Sequence, residues 1–480
     1  MQPLARQDTR PSIYSWWSDS NPGLHGPTIN LHAAAKPLSR FLYHRQALNI
    51  IKKNRDSPLS TATLEIYSSY FPWDFVSWST KAAILSELAD RARTSEIAAR
   101  AVVDSPVLPH VEPMLLSPST QTRSASCKLL RSMGLHSSTA PVILELQLCG
   151  RLVSLLRDEH PQVVREATSV LCGIAKSVGG AQAIADAKVM AGVPSLRFAP
   201  QQTCELVKEL ASHESTGPAV CEFETSVQLV SLLGEADFKI VESAMDALCE
   251  IVRWVDGACA VVSAGVRGHI AKLLQSLSPI LRHKTCQLVG GLARHESTAL
   301  VTSEPELCVR LVSLLSEEDP EVVRWATFAL SQIARWLEDA KAAIDAEALD
   351  PVLALLESPN PHTRLAAYVM SGCLARRQST APAVFELRPF VRIVYEPNAG
   401  IHDLTHDGDL ARYGAISALE GISKWSDGIA ALADLDDILQ RFEELSHDQS
   451  FGRAKEVQKI RNMLYNVARY NEHRGRVIDQ

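Results

Sequence analysis

Long hydrophobic runs are missing from this chain. No stretch of roughly 18 residues is apolar enough to span a bilayer, which excludes a membrane-crossing helix. Aromatic residues are scarce, at 6% of the 480 residues, so any core must be built mainly from Leu, Ala and Val, with Glu and Ser abundant outside it. The ten cysteines contain no Cys-x-x-Cys pair, which removes the usual signature of zinc ribbons and redox motifs. A Gly-rich phosphate loop, a Gly-x-Ser-x-Gly nucleophile turn and a clustered His-Asp-Glu set are also missing. The opening MQPLARQDTR has no apolar signal core and no Gly at position 2, and the closing RGRVIDQ has no prenylation Cys. These absences predict a cytoplasmic protein, with nuclear or vacuole-associated residence as alternatives, no cofactor, no metal site and no small-molecule substrate.

Charge narrows the partners. The net charge of −7 and a pI of about 6.1 give an overall field that repels nucleic acid and anionic lipid. The first 60 residues run the other way, with eight Lys or Arg against three acids. A local basic contact at that end is therefore expected, with membrane association weak. The cysteines recur in matching settings: Cys127, Cys204 and Cys286 in SCKLL, TCELV and TCQLV, and Cys172 and Cys249 in VLCGI and ALCEI. Equivalent placement on apolar helix faces predicts reduced, buried thiols.

What is present is a repeat. LVSLLRDEHPQVVREATSVLCGIAK starts at Leu152, LVSLLGEADFKIVESAMDALCEIVR at Leu229 and LVSLLSEEDPEVVRWATFALSQIAR at Leu311, with weaker copies offset by half that spacing, such as ALLESPNPHTRLAAYVMSGCLAR from Ala354. The unit is about forty residues in two alternating subtypes, the sign of an α-solenoid. In the best copy Val322, Val323, Ala326, Ala329, Leu330 and Ile333 fall at spacings of three and four, which predicts one buried stripe on a long helix. Pro320 after Asp319 predicts its N-terminus, and Pro161 and Pro361 predict the same in their copies.

One tetrapeptide invites a chemical reading. HEST occurs at 213–216 and 295–298, with HSST at 136–139 and RQST at 377–380. A His-Glu pair beside two hydroxyls could begin a hydrolytic or metal site. The fourth copy keeps neither His nor Glu, and the second His that a zinc-binding HExxH needs is Gly217 or Ala299 instead. The tetrapeptide is therefore read as punctuation, its Thr hydroxyl accepting from the free N–H groups of the next helix.

The three-helix pattern of segments such as EDAKAAIDAEALDPVLALLESPNPHTRLAAYVMSGCLAR resembles armadillo-repeat proteins, including those of fungi. The resemblance covers residues from about 75 to 435. It implies an all-α, right-handed armadillo-type superhelix of about eight or nine repeats with helical caps at both ends. The expected organisation is an extended segment at 1–30, an N-terminal cap at 31–75, the repeat array at 76–432 and a C-terminal cap at 433–480. In the first cap Leu38, Phe41, Leu42, Leu48 and Ile51 are expected to share the face laid on the first repeat. In the last, Phe442, Ile460, Leu464 and Val467 are the expected apolar contacts.

Armadillo proteins of the karyopherin-alpha family hold basic peptides with third-helix Trp and Asn residues four apart. Here the Trp place holds Ser169, Glu205, Asp246, Gln287, Phe328 and Val369, and the Asn place Gly173, Glu209, Glu250, Gly291, Gln332 and Cys373. That peptide-binding mode, and with it a nuclear-import role, loses its machinery. A continuous basic lining for acidic peptides is broken by Glu242, Asp246 and Glu250. The remaining expectation is a non-enzymatic scaffold that binds an extended segment or helix of another protein along its third helices. Arg165, Lys176, Arg253, Arg324, Phe328, Gln332 and Arg335 are its candidate contacts, because Arg324, Phe328, Gln332 and Arg335 share one helix face beside the apolar stripe. The alternative is a peripheral membrane adaptor that uses the basic N-terminal helix.

Overall fold

A computed structural model describes residues 31–54, 57–187, 197–302, 304–336, 349–358, 361–374, 415–434, 436–447 and 454–478. The segment 1–30, expected to be extended, lies outside the described residues, as does the RQST copy at 377–380. All regular elements among the described residues are helices. None of these helices is long and apolar enough to cross a membrane. The chain divides into two compact units, residues 1–129 and 130–480.

The first unit holds α1 (Leu31–Asn54), α2 (Thr61–Ser69), α3 (Trp78–Thr94), α4 (Glu96–Val103) and α5 (Val111–Leu115). Helix α6 (Thr120–Gly134) runs through the boundary. Serine starts three of these helices: Ser60, Ser77 and Ser95 accept from the backbone N–H of Thr63, Thr80 and Ala98. Helix α1 packs on α3 with a different face from the one expected. Ala47 is buried and Tyr43, His44, Ile50 and Ile51 are half-buried, whereas Phe41, Leu42 and Leu48 are 60%, 49% and 44% exposed. The aromatic-rich turn after α2 draws the Tyr43 side inward: its ring meets Phe75 at 5.1 Å and Tyr70 edge-on at 6.1 Å.

In the second unit short helices alternate with long ones. The sets are α7 (Ala140–Glu145), α8 (Cys149–Leu155) and α9 (Pro161–Ala175), then α10 (Val178–Asp186) and α11 (Pro200–Ser212). They continue as α12 (Gly217–Val220), α13 (Phe223–Leu232) and α14 (Phe238–Ile251), then α15 (Val255–Ser263), α16 (Arg267–Leu273) and α17 (Pro279–Ala293). Next come α18 (Glu296–Thr302), α19 (Pro305–Ser313) and α20 (Pro320–Trp336), then α21 (Leu349–Leu355) and α22 (Pro361–Leu374). A helix at 415–422, α23 (Ser426–Ala433), α24 (Asp436–His447) and α25 (Ala454–Ile478) follow. The long helices α9, α11, α14, α17, α20 and α22 pack each on the next, which makes them the spine of a helical repeat.

Local chemistry matches the sequence pattern at several points. Proline occupies the first turn of α9, α11, α17 and α19, where its missing N–H leaves no bond unmade. Asp319 accepts from Glu321 N at 2.9 Å and Val322 N at 3.3 Å, the cap expected before Pro320. The α20 stripe from Val322 to Ile333 is buried throughout. At the other end Phe442, Ile460 and Val467 are buried and Leu464 is half-buried. Nine cysteines among the described residues are free thiols, and burial pushes the Cys204 thiol up to about 12. Burial also raises the thiols of Cys172, Cys249 and Cys286 well above their ordinary value. They are core residues.

Candidate functional site

Successive long helices are joined at their C-terminal ends by a ladder of side chains. The last carbonyls of a helix lack partners within it, and here one carbonyl at the end of each of α9, α11 and α14 finds a partner from the following set. His213 Nε2 lies 2.8 Å from Ala175 O, Trp254 Nε1 donates to Ala211 O at 2.9 Å, and His295 Nε2 lies 2.9 Å from Val252 O. A carbonyl only accepts, so both imidazoles carry their proton on Nε2. His and Trp alternate because the two repeat subtypes alternate. Trp254 is thus held between sets: its indole lies against Gly217, where a Cβ would collide with the ring.

HEST takes its meaning from this ladder. Thr216 occupies the N-cap position of α12 but its side chain caps nothing ahead of it. Its hydroxyl instead donates backward to Leu210 O at 2.6 Å, and Thr298 and Thr139 do the same to Leu292 O and Met133 O. This corrects the expected acceptor role. The reason is conformational: Thr216 has φ −119° and ψ −18°, not the extended geometry that aims a cap oxygen at the next N–H groups. The nearest orphan group is a carbonyl of the helix just ended. Among the described residues no group of three His, Cys, Asp or Glu is placed to hold a metal ion.

The outward side chains of the long helices form the candidate binding face. Arg165 and Lys176, on and just after α9, are exposed and unpaired among the described residues. Glu205 and Glu209 on α11 also lack ion pairs among those residues. Helix α14 adds Glu242, Asp246 and Glu250. Lys284 of α17 pairs with Asp246 and, at 3.3 Å, with Glu242, and Lys208 of α11 reaches Asp246 at 3.9 Å. That cluster crosses three consecutive long helices. Arg253 is exposed and pairs with Glu250 at 2.7 Å.

Arg324 and Phe328 meet through a residue the sequence reading passed over. The Arg324 guanidinium lies over the Trp325 ring at 5.1 Å and pairs with Glu321 at 3.3 Å, while Phe328 meets Trp325 edge-on at 5.5 Å. Phe328 is half-buried and covers Gly290 of α17, where an added Cβ would come within 2.6 Å of its ring. Its packing partner is therefore the preceding set, which glycine alone admits so closely. Gln332 is buried, its Nε2 3.4 Å from Ser331 Oγ. Arg335 lies in the last turn of α20, and its side chain is outside the described residues, as are those of Val369 and Cys373. The structure thus gathers Arg324, Trp325 and Phe328 into one group and leaves Arg165, Lys176 and Arg253 on earlier helices. Trp325 could have been found as the neighbour of Arg324 three residues before Phe328, and Lys284 only from the fold.

No family model matches the chain. It is similar to the protein named Phospholipase A I of Arabidopsis thaliana, 27% identical over 183 residues, covering 38% of this chain and 13% of that protein. The chain thus spans about an eighth of that relative's length. Its structure is similar to the crystal structure of an engineered protein, with a TM-score of 0.72 and 21% identity over 84% of this chain and 98% of that one. This likeness supports a solenoid-like helical repeat fold.

Proposed function

We propose that the protein is a non-enzymatic interaction scaffold of the armadillo type, which binds an extended segment or helix of another protein across its long helices. The observation that carries this is the contrast between the two sides of those helices. Their buried positions repeat the same small and branched residues from set to set. The equivalent outward positions differ at every step: Ser169, Glu205, Asp246, Gln287 and Phe328. Packing accounts for Phe328, which covers Gly290, but not for the variety of the others, and charge on the face runs from basic at α9, through acidic at α11 and α14, to the Arg324 and Trp325 pair at α20. Such an order suits a partner whose own charges alternate along an extended segment.

Proximity labelling in the native cell, followed by titration calorimetry with the purified partner, tests this reading. Arg165→Glu with Lys176→Glu should weaken binding at least tenfold and make the loss depend on salt. Arg324→Glu should act in the same direction. Full-strength binding by the combined variant, with helicity retained, would move the interaction off this face.

A further inference from the structure

Helix α1 leaves an unusual surface uncovered. Its 24 residues, LHAAAKPLSRFLYHRQALNIIKKN, contain five Lys or Arg and no acid, in a chain whose net charge is −7. The helix is firmly seated. Tyr43 packs on Phe75 and Tyr70, His44 Nδ1 lies 3.0 Å from Thr80 Oγ1, and Arg91 of α3 donates to Asn54 O at the last turn and to Ser57 O at 2.8 Å. Glu87 holds that arginine at 2.6 Å. The opposite arc is therefore fixed in its exposure. At 3.6 residues per turn its order around the helix is Leu48, Phe41, Lys52, Arg45, Asn49, Leu42, Lys53. All seven are exposed, and none of the three cations has an ion pair among the described residues.

We infer that this arc of α1 is a docking surface for an anionic phospholipid bilayer. Charge is the first reason, since three cations without ion pairs among the described residues stand on one side of a seated helix. Their arrangement is the second. A partner helix packs best on a continuous apolar stripe with charges outside it, and here Arg45 and Lys52 alternate with Phe41 and Leu48 along one stripe. A lipid headgroup layer accepts that mixture, because long cationic stems reach up to phosphates while neighbouring apolar side chains enter the acyl boundary. Each cation near an anionic surface is worth roughly a fivefold gain in binding. This surface is independent of the long-helix face proposed for protein binding.

Flotation of the full-length protein with phosphatidylcholine vesicles, with and without phosphatidylserine, tests the inference. Binding is expected only with phosphatidylserine and should weaken as salt rises. Arg45→Glu with Lys52→Glu should reduce it more than tenfold, and Phe41→Ser with Leu48→Ser severalfold. All four positions are exposed, so circular dichroism and the melting profile should be unchanged. Arg165→Glu with Lys176→Glu serves as the control and should float like the parent. Failure to bind phosphatidylserine vesicles, equal binding to phosphatidylcholine alone, or binding unaffected by the α1 variants would each overturn the inference.

Discussion

Replacing Gly217 by Ala tests the inter-repeat ladder at its tightest point. Gly217 opens α12 beneath the Trp254 indole, and a Cβ there would overlap Cε2, Cζ2 and Nε1 of that ring. The backbone itself raises no objection, because Gly217 is not in the left-handed region. To admit a methyl the indole must retreat by about 1 Å, the scale on which close contacts are lost. Its N–H, now 2.9 Å from Ala211 O, would then pass beyond hydrogen-bond range. Overpacking costs about 1–3 kcal/mol and the lost bond about 1 kcal/mol more, so the variant should lose about 2–4 kcal/mol of local stability. In a Trp254→Ala background the obstacle is gone, and Ala should then be neutral or stabilising by up to about 1 kcal/mol as the better helix former. Urea unfolding of the four proteins gives the coupling energy. Hydrogen exchange at amides 211–221 and 251–258 reads it locally, where repeat proteins open set by set. An equal cost for Gly217→Ala in both backgrounds would refute the account, as would a cost below about 0.5 kcal/mol in the parent.

Thr216→Val and Thr298→Val keep the side-chain volume but remove the donor to a buried carbonyl, so each should cost about 1–3 kcal/mol by denaturant unfolding. If Val is tolerated like Thr, the backward bond is not what holds these turns. His213→Gln should be mild, because an amide N–H can replace the imidazole donor, whereas His213→Leu should cost about 1–2 kcal/mol and speed exchange near Ala175. Gln147 has a φ of 51° in the turn between α7 and α8, where Gly265 with φ 85° fills the matching turn before α16. Gln147→Gly should therefore raise stability by about 0.5–1 kcal/mol in a thermal melt. Among the nine described cysteines, thiol labelling of the native protein should modify half-buried Cys259 first and leave Cys204, Cys172 and Cys249 untouched until unfolding, and early labelling of Cys204 would contradict its burial.

Much of the helical pattern was legible in the sequence because a helix records its own buried side at spacings of three and four. The α20 stripe, the Asp319 cap and the turn prolines are local, and each was readable from a few adjacent residues. Helix α1 shows the limit of that reading. Phe41, Leu42 and Leu48 look like the side to bury, yet Tyr43, Ala47 and Ile50 face inward, because what covers a helix is decided by the segment opposite. There the turn around Tyr70 and Phe75 supplies aromatic partners for Tyr43.

By itself the sequence determined the class of structure, a helical repeat of about forty residues in two alternating subtypes, since period and apolar spacing survive in any fold those helices could adopt. It also determined that HEST marks the end of one helix and the start of another. Only the tertiary structure decided what those residues touch. Thr216 bonds the helix behind it, His213 the carbonyl of Ala175, and Phe328 the glycine of the preceding set. The His213 and Phe328 partners lie thirty-eight residues back along the chain, Ala175 for the one and Gly290 for the other. Periodicity carries no information about which carbonyl is left without a hydrogen bond or which position lacks a Cβ at the point of contact, and stacking one set on the next supplies it.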